Sequence, residues 1–187
     1  MTLIGHNGGP GIGNTGWHGY AWRRARADLV PTLPLEVVRM RVRRAKELGI
    51  DYKSYASIRA ATGRDVIALL FSSNALKCGP KLAAVPEAEA TKLRGVARAE
   101  RLAAVHRPLD ARSFHGANAA LIDSAMQAPT LADGWSATRE KLADLTARRG
   151  VPTDAVLVVG ATMLEAEWSV AGRMAGYLPA ERYFTTL

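Results

Sequence analysis

The chain has 187 residues, 48% of them hydrophobic, which is enough for one buried core and short for two large domains. Its formal net charge is +8, and its single cysteine, Cys78, excludes an internal disulfide and a multi-cysteine metal site. The start of the chain lacks the basic and apolar regions of a secretory signal, and no apolar run is long enough to cross a bilayer. We therefore expect a cytoplasmic protein that has no membrane partner.

The positive charge is concentrated in the first third of the chain. Residues 1–64 hold eleven Lys and Arg residues against four acids, so this part carries +7 and residues 65–187 carry +1. Such asymmetry is typical of a polyanion-binding half beside a neutral half, because contacts with phosphates dominate non-specific nucleic-acid binding. A solvated basic face is the alternative.

Glycines dominate residues 1–16, and Gly11, Gly13 and Gly16 spell the G-x-G-x-x-G pattern of dinucleotide-binding loops. That loop requires a buried strand before its first glycine, and Thr2–Ile4 is too short and too far away to supply one. The sequence therefore predicts a flexible glycine-rich arm over residues 1–16, without a cofactor site.

Three helices are predicted in the basic part of the chain. Apolar residues at helical spacing indicate helices over Trp17–Val30, Pro34–Leu48 and Tyr52–Thr62. Gly49 ends the second of these, Asp51 is positioned to cap the third, and Gly63 ends it. The second helix carries apolar residues on one face and basic residues on the opposite face.

The segment 44–59, RAKELGIDYKSYASIR, resembles the helix-turn-helix of bacterial DNA-binding proteins. A small residue, a turn glycine and later apolar residues fall at the places where that motif has them, namely Ala45, Gly49, Ile50, Tyr55 and Ile58. The resemblance implies that residues 17–64 form a basic helix-turn-helix-like half that binds duplex DNA in a regulatory protein.

The residues expected to face DNA are basic, hydroxyl-bearing or aromatic: Arg39, Arg43, Lys46, Tyr52, Lys53, Ser54, Ser57 and Arg59. The resemblance implies that Lys53 and Arg59 contact phosphate or guanine, and that Ser54 and Ser57 bond to base edges or phosphates. The alternative is a plain helical hairpin with a basic outer face, as in a helical protein–protein interaction module that binds no nucleic acid.

The second half is also interpreted as mainly helical. The predicted segments are a helix over 66–77 capped by Asp65, a helix over 86–105, a loop over 106–114, a helix over 117–126, and a helix from Ser136 or Thr138 to about 149. Two apolar stretches leave alternatives open. Residues 66–71 also fit a buried strand, and 154–164 fit either a short buried strand or the start of a long buried helix through Met174.

Two stretches resemble, in outline, the strand-end motifs of haloacid-dehalogenase-like phosphatases. They are Ser72-Ser73-Asn74, which follows an apolar run, and the segment 154–160, DAVLVVG. That family needs a D-x-D pair for its nucleophile and acid and a later aspartate for magnesium. The chain has no D-x-D, and Ala161 and Thr162 follow Gly160, so phosphatase chemistry of that kind is not expected.

The densest polar patch outside the basic half is H-R-P-L-D-A-R-S-F-H, which contains His106, Asp110, Arg112 and His115. A histidine oriented by a carboxylate can transfer protons near neutral pH, so a small α/β enzyme using this loop is a further alternative. An ordinary polar loop that caps helices gives the same pattern. We therefore assign no catalytic residue from the sequence.

These patterns together predict a mainly α protein: a single helical domain over 17–187 in which residues 65–187 form the core and supply any homo-oligomer contacts. One or two short buried strands are the alternative within it. The expected function is DNA binding in transcription regulation, with no cofactor and no metal.

Overall fold

The computed structural model describes residues 33–80 and 82–185. The chain divides after Val38 into two compact units, and the described part of the first unit is residues 33–38. The predicted glycine arm and the predicted helix over Trp17–Val30 lie outside the described residues. All that follows on packing concerns the second unit, from Arg39 onward.

A five-stranded sheet forms the centre of this unit. Its strands are β1 (Ala68–Ser72), β2 (Glu100–Val105), β3 (Ser124–Gln127), β4 (Val156–Gly160) and β5 (Gly176–Pro179). Every neighbouring pair is parallel, and the order across the sheet is β3-β2-β1-β4-β5. Leu70 in the central strand lies opposite Leu102 on one side and Val158 on the other. Parallel strands of this kind need covered faces, and every residue of β1 and β4 is buried, with Ser72 at the end of β1 as the polar exception.

Seven α-helices occur among the described residues. They are α1 (Leu35–Leu48), α2 (Tyr52–Thr62), α3 (Glu87–Arg94), α4 (Ala111–Ala117), α5 (Trp135–Arg148), α6 (Met163–Ala171) and α7 (Ala180–Thr185). A single turn of 3₁₀-helix, Thr153–Ala155, leads into β4. None of the helices in this part of the chain has the length and apolarity of a membrane span.

Alternate strand residues point to opposite faces of the sheet and bury two separate hydrophobic clusters. On one face, Leu69 and Phe71 of β1 pack in a cluster that includes residues of α1, α2, α3, α4 and α7. On the other face, Ala68 and Leu70 pack in a cluster that includes Leu142 and Leu145 of α5 and Trp168 of α6. The domain is therefore a three-layer α/β sandwich.

The helices α1 and α2 confirm the local prediction for this part of the chain. Gly49 ends α1 with φ +70°, and the Asp51 side chain caps α2 by accepting a hydrogen bond from the Ser54 amide at 2.8 Å. Ala45, Ile50 and Tyr55 are buried, as the pattern requires. Because these residues belong to the same cluster as Leu69 and Phe71, the hairpin packs on the α/β core.

Arg44 fixes α1 to the start of the sheet. Its guanidinium donates to the Val66 carbonyl at 2.7 Å and to Asp65 Oδ2 at 3.0 Å. It also donates to the Arg98 carbonyl just before β2 at 3.1 Å. One arginine of the basic half therefore serves packing.

The predicted fold class is wrong, because five parallel strands make this an α/β protein and the mainly α single domain does not exist. The helix expected over 66–77 is strand β1 followed by a turn, and of the alternatives at 154–164 the strand is correct, as β4. Residues 66–71 and 155–159, which contain these strands, are apolar and lie where the sheet is covered on both faces. Such a segment has no periodicity that separates strand from helix.

Three further boundaries need correction. The helix expected over 86–105 ends at Arg94, and β2 occupies its last six residues. The loop expected over 106–114 and the helix over 117–126 are replaced by α4, which Asp110 caps through the Ser113 amide at 2.8 Å, and by strand β3. The helix starting near Ser136 is confirmed as α5.

Candidate active site at the carboxyl edge of the sheet

The strand order places three chain segments together at the carboxyl edge of the sheet. The chain moves outward from β1 to β2 and β3, then crosses to β4 on the other side of β1. Ligands of open α/β sheets bind at such a reversal of strand order. Here the residues that leave β1, β2 and β4 are Ser72 to Asn74, His106, and Gly160 to Glu165.

Glu165 lies at the centre of this edge with its side chain fully buried. Its Oε1 accepts from Asn74 Nδ2 and from His106 Nε2, each at 2.8 Å. Its Oε2 accepts from the backbone amides of Ala161 at 2.5 Å and Thr162 at 3.0 Å. The Ser72 hydroxyl also bonds to this carboxyl. A buried carboxylate with partners on both oxygens is the condition under which the charged form is tolerated.

These contacts keep Glu165 ionised. Burial opposes the charge, but the hydrogen bonds from His106, the Ala161 amide, Ser72 and Asn74 outweigh it, so the pKa of Glu165 lies below its ordinary value. Burial, together with the same negative charge, raises the pKa of Tyr177, whose hydroxyl donates to the Gly160 carbonyl at 2.9 Å. The site therefore contains a fixed negative charge, the Glu165 carboxylate, near neutral pH.

The local sequence explains the position of Glu165. Thr162 caps α6 in a capping box, in which the Glu165 amide bonds to the Thr162 side chain and the Glu165 carboxylate accepts from the Thr162 amide. Gly160 allows the approach. A Cβ on it would lie 2.8 Å from Glu165 Cβ and 2.9 Å from Glu165 Oε2.

His106 is the residue that Glu165 orients. Its backbone amide donates to Ser73 Oγ at 3.0 Å, and its ring stacks on Trp168 with centroids 5.4 Å apart. Because the acceptor at Nε2 is an ionised carboxylate, we assign the proton to Nε2, which leaves a lone pair on Nδ1. Nδ1 has no hydrogen-bond partner among the described residues, and the side chain is 23% exposed.

The nearby hydroxyls and the thiol are poorly placed as nucleophiles. Ser72 and Ser73 are buried, and their oxygens accept from the amides of Ala75 and His106. Burial raises the pKa of Cys78 to about 11, so the thiol stays protonated. The partly exposed group among these side chains is thus the imidazole of His106, held by an anion, an arrangement suited to general acid–base chemistry.

The His106–His115 patch is divided between two places. Asp110, the carboxylate expected to orient a histidine, instead caps α4, and its hydrogen bonds to Ser113 lower its pKa. Arg112 and His115 line a groove of about 580 Å³ along the edge strand β3. The carboxylate partner of His106 is therefore Glu165, which lies 59 residues further along the chain.

Only some of the residues expected to contact DNA lie on the surface. Arg39, Arg43 and Lys46 of α1 and Lys53 and Ser57 of α2 are exposed, while Tyr52 and Arg59 are half-buried. Ser54 is buried with its hydroxyl bonded to Asp51, so it cannot reach a base edge. The resemblance had implied a recognition role for that residue.

Sequence reasoning missed Glu165, although a signal was available. Thr162-Met163-Leu164-Glu165 matches the T-x-x-E capping box directly after a glycine that ends an apolar run. Within the described residues, no group of three or more metal-ligating side chains converges, at this edge or elsewhere.

Comparison with known proteins gives no relative for this chain. No protein-family model matches it, and no significant match exists among the curated proteins or the solved structures.

Proposed function

We propose that this protein is a small-molecule enzyme of the α/β class in which His106 acts as general acid–base and Glu165 positions it. The observation that carries the proposal is the 2.8 Å contact between His106 Nε2 and the buried Glu165 carboxylate at the reversal of strand order. It supports the enzyme alternative over the helical interaction module, because an ionised carboxylate that orients a partly exposed imidazole is the usual partner of a general base.

The proposed step is a proton transfer in which His106 first accepts a proton and later returns it. In the simplest hydrolytic case, a water attacks the substrate carbonyl carbon, and His106 Nδ1 accepts the water's proton as the new carbon–oxygen bond forms. The leaving group departs with the electrons of the broken bond, and the imidazolium then returns its proton to solvent or to the leaving group. Glu165 stays ionised and holds the ring, so it is a positioning residue. No covalent intermediate is expected, because Ser72, Ser73 and Cys78 are buried.

The test uses p-nitrophenyl acetate as substrate for the full chain. We expect slow turnover without an initial burst, and His106→Gln should lower the rate by about 100-fold, the usual contribution of a general base. The control is His115→Gln, which replaces a second partly accessible imidazole in the same way and should keep the wild-type rate.

Two results of this assay contradict the proposal. One is an equal rate in wild type and His106→Gln, and the other is loss of activity in His115→Gln alone. Inclusion of p-nitrophenyl phosphate tests chemistry of the haloacid-dehalogenase type, which needs the paired aspartates that this chain lacks, so we expect that ester to remain intact.

DNA binding remains a second proposed function because one observation favours it. Arg39, Arg43 and Lys46 are exposed and recur at four- and three-residue spacing along α1, and Lys53 is exposed at the start of α2. We call these four residues the basic face. A row of this kind can follow a phosphate backbone without a recognition helix, so the binding we propose has little sequence preference.

Titration of duplex DNA at several salt concentrations tests this second function. An Arg43→Ala/Lys53→Ala double variant should bind more weakly, and the slope of log affinity against log salt should fall by about 2, one for each lost phosphate contact. Arg107→Ala/Arg112→Ala, which removes two exposed charges outside the basic face, is the control. Equal weakening in the two double variants, or no binding at low salt, would rule the basic face out.

A further inference from the structure

A cleft opens between the end of α1, helix α3 and helix α7, on the sheet face opposite α5 and α6. Its volume is about 500 Å³, within the range of roughly 300–1,000 Å³ that is usual for small-molecule sites. None of the residues of the His106 site lines it. We call it the α1–α3 cleft.

The α1–α3 cleft has apolar walls. Ile50, which follows α1, Ala88 of α3 and Phe184 of α7 all line it. Phe184 is half-buried, and its ring centroid lies 6.4 Å from that of Phe71 and 5.0 Å from that of Tyr183. Because these contacts hold the aromatic wall in place, the cleft is suited to a ligand with an apolar body.

Lys92 brings a positive charge into this apolar lining. Its Nζ lies 5.5 Å from the centroid of the Tyr183 ring, and a Cβ added to Gly49 would lie 3.8 Å from Nζ. Gly49 itself lines the cleft and the Lys92 side chain is only half-buried, so the ammonium group stands at the cleft wall. An ammonium has three N–H donors and can therefore bond to a ligand in addition to its neighbours in the protein.

The lining of the α1–α3 cleft is positively charged. Lys46, which is exposed, is the second lysine, and no acid is among the described residues that line the cleft. The nearby acids Glu47 and Glu87 pair with arginines that lie outside the lining. Burial lowers the pKa of Lys92, so an anion beside it would offset the cost of holding its charge there.

From this geometry we propose that the α1–α3 cleft binds a small organic acid, with its apolar body against Ile50 and Phe184 and its carboxylate beside Lys92 and Lys46. The site is separate from the acid–base function of His106, whose residues do not line the cleft. It is also separate from DNA binding. Lys46 belongs to the basic face, but Lys92 and the apolar walls do not.

Calorimetric titration of the full chain with 2-naphthoate tests this site near neutral pH, where the compound is ionised. 2-Naphthamide is the matched neutral compound, because it has the same ring system and an amide in place of the carboxylate. We expect naphthoate to bind about tenfold more tightly, the gain when a hydrogen bond from an ammonium meets a charged acceptor. Equal affinities for the two compounds would overturn the proposal.

Lysine variants locate the carboxylate. Lys92→Met removes the charge and keeps an unbranched apolar side chain beside Tyr183, so it should weaken naphthoate binding about tenfold and leave naphthamide binding unchanged. The control is Lys53→Met, which removes an exposed charge of the basic face outside the cleft and should change neither affinity. A preference for naphthoate that survives Lys92→Met, or that is lost equally in Lys53→Met, would contradict the assignment.

A third variant tests the cleft without altering a charge. Ala88 is exposed on α3 and lines the cleft, so Ala88→Phe keeps the core intact and fills part of the space. We expect it to weaken naphthoate and naphthamide by a similar factor, because both compounds need the apolar walls. Unchanged binding of both compounds in Ala88→Phe would show that they bind elsewhere and would rule the cleft out.

Discussion

At the scale of single residues, the candidate site is organised around the buried charge of Glu165. Glu165 is fully buried, yet two backbone amides and three side chains solvate it, which keeps its pKa below the ordinary value of 4.5. The free energy of unfolding therefore depends on pH. The ionised form stabilises the fold above the pKa of the unfolded chain, and that stabilisation is lost as the pH falls through the lower folded pKa.

Glu165→Gln therefore has a defined effect on stability. A glutamine would place an N–H₂ group where one carboxylate oxygen of Glu165 now accepts hydrogen bonds, so a donor would face donors. We therefore expect a loss of about 1–3 kcal/mol in the free energy of unfolding at pH 7. The difference from wild type should shrink as the pH falls below the ordinary glutamate value of 4.5, because the stabilisation that the ionised form provides is lost as the folded protein takes up this proton. Urea unfolding at several pH values measures this, with Glu167→Gln, an exposed site on the same helix, as the control. A difference that stays constant with pH would contradict the account.

Residue chemistry also explains what the sequence could reveal about the site. His106 was recognisable as a candidate because histidine, aspartate and arginine crowd its neighbourhood in sequence. Its real partner was not, since the contact joins the end of β2 to the first turn of α6 across 59 residues. The strand order brings these two residues together, so their pairing cannot be read from the residues that flank either of them in the sequence.

At the scale of elements, the cap and turn signals were correct for α1 and α2, whereas the cap expected at Asp65 was wrong because strand β1 follows it. Asp51 and Gly63 bound α2 as expected, and Gly49 adopts the positive φ that ends α1. Strand identity was not predictable in the same way. β1 and β4 are buried on both faces and lack an alternating pattern, and Glu100 and Arg101 at the start of β2 look like the end of the preceding helix.

The junction of β4 and α6 depends on Gly160. An added Cβ would meet Glu165 and the Tyr177 ring at 2.8 Å, so Gly160→Ala should destabilise the protein by about 1–3 kcal/mol. Gly116→Ala is the matched control, because a Cβ there meets nothing within 4 Å and the residue lies in α4. It should be neutral or slightly stabilising. Thermal unfolding compares the two, and equal effects would show that Gly160 is not a packing requirement.

At the scale of the whole molecule, the charge asymmetry and the fold identify two different surfaces as candidates for binding. Composition indicated a basic half, and Arg39, Arg43, Lys46 and Lys53 are indeed exposed. Arg44 is instead used to fix α1 to the sheet, and Arg64 pairs with Asp154 at 2.9 Å. The long-range order β3-β2-β1-β4-β5 creates the second surface, at the carboxyl edge, and its position required the three-dimensional structure.

The central claim is that ionised Glu165 holds the proton of His106 on Nε2 and leaves Nδ1 as the base. A long-range ¹H–¹⁵N spectrum of the imidazoles tests it most directly, recorded at a pH where the rings are neutral. His106→Gln assigns the signal among the four histidines. The account predicts that His106 is the Nε2–H tautomer and that this preference weakens in Glu165→Gln. A His106 ring protonated on Nδ1, or a tautomer unaffected by Glu165→Gln, would contradict it.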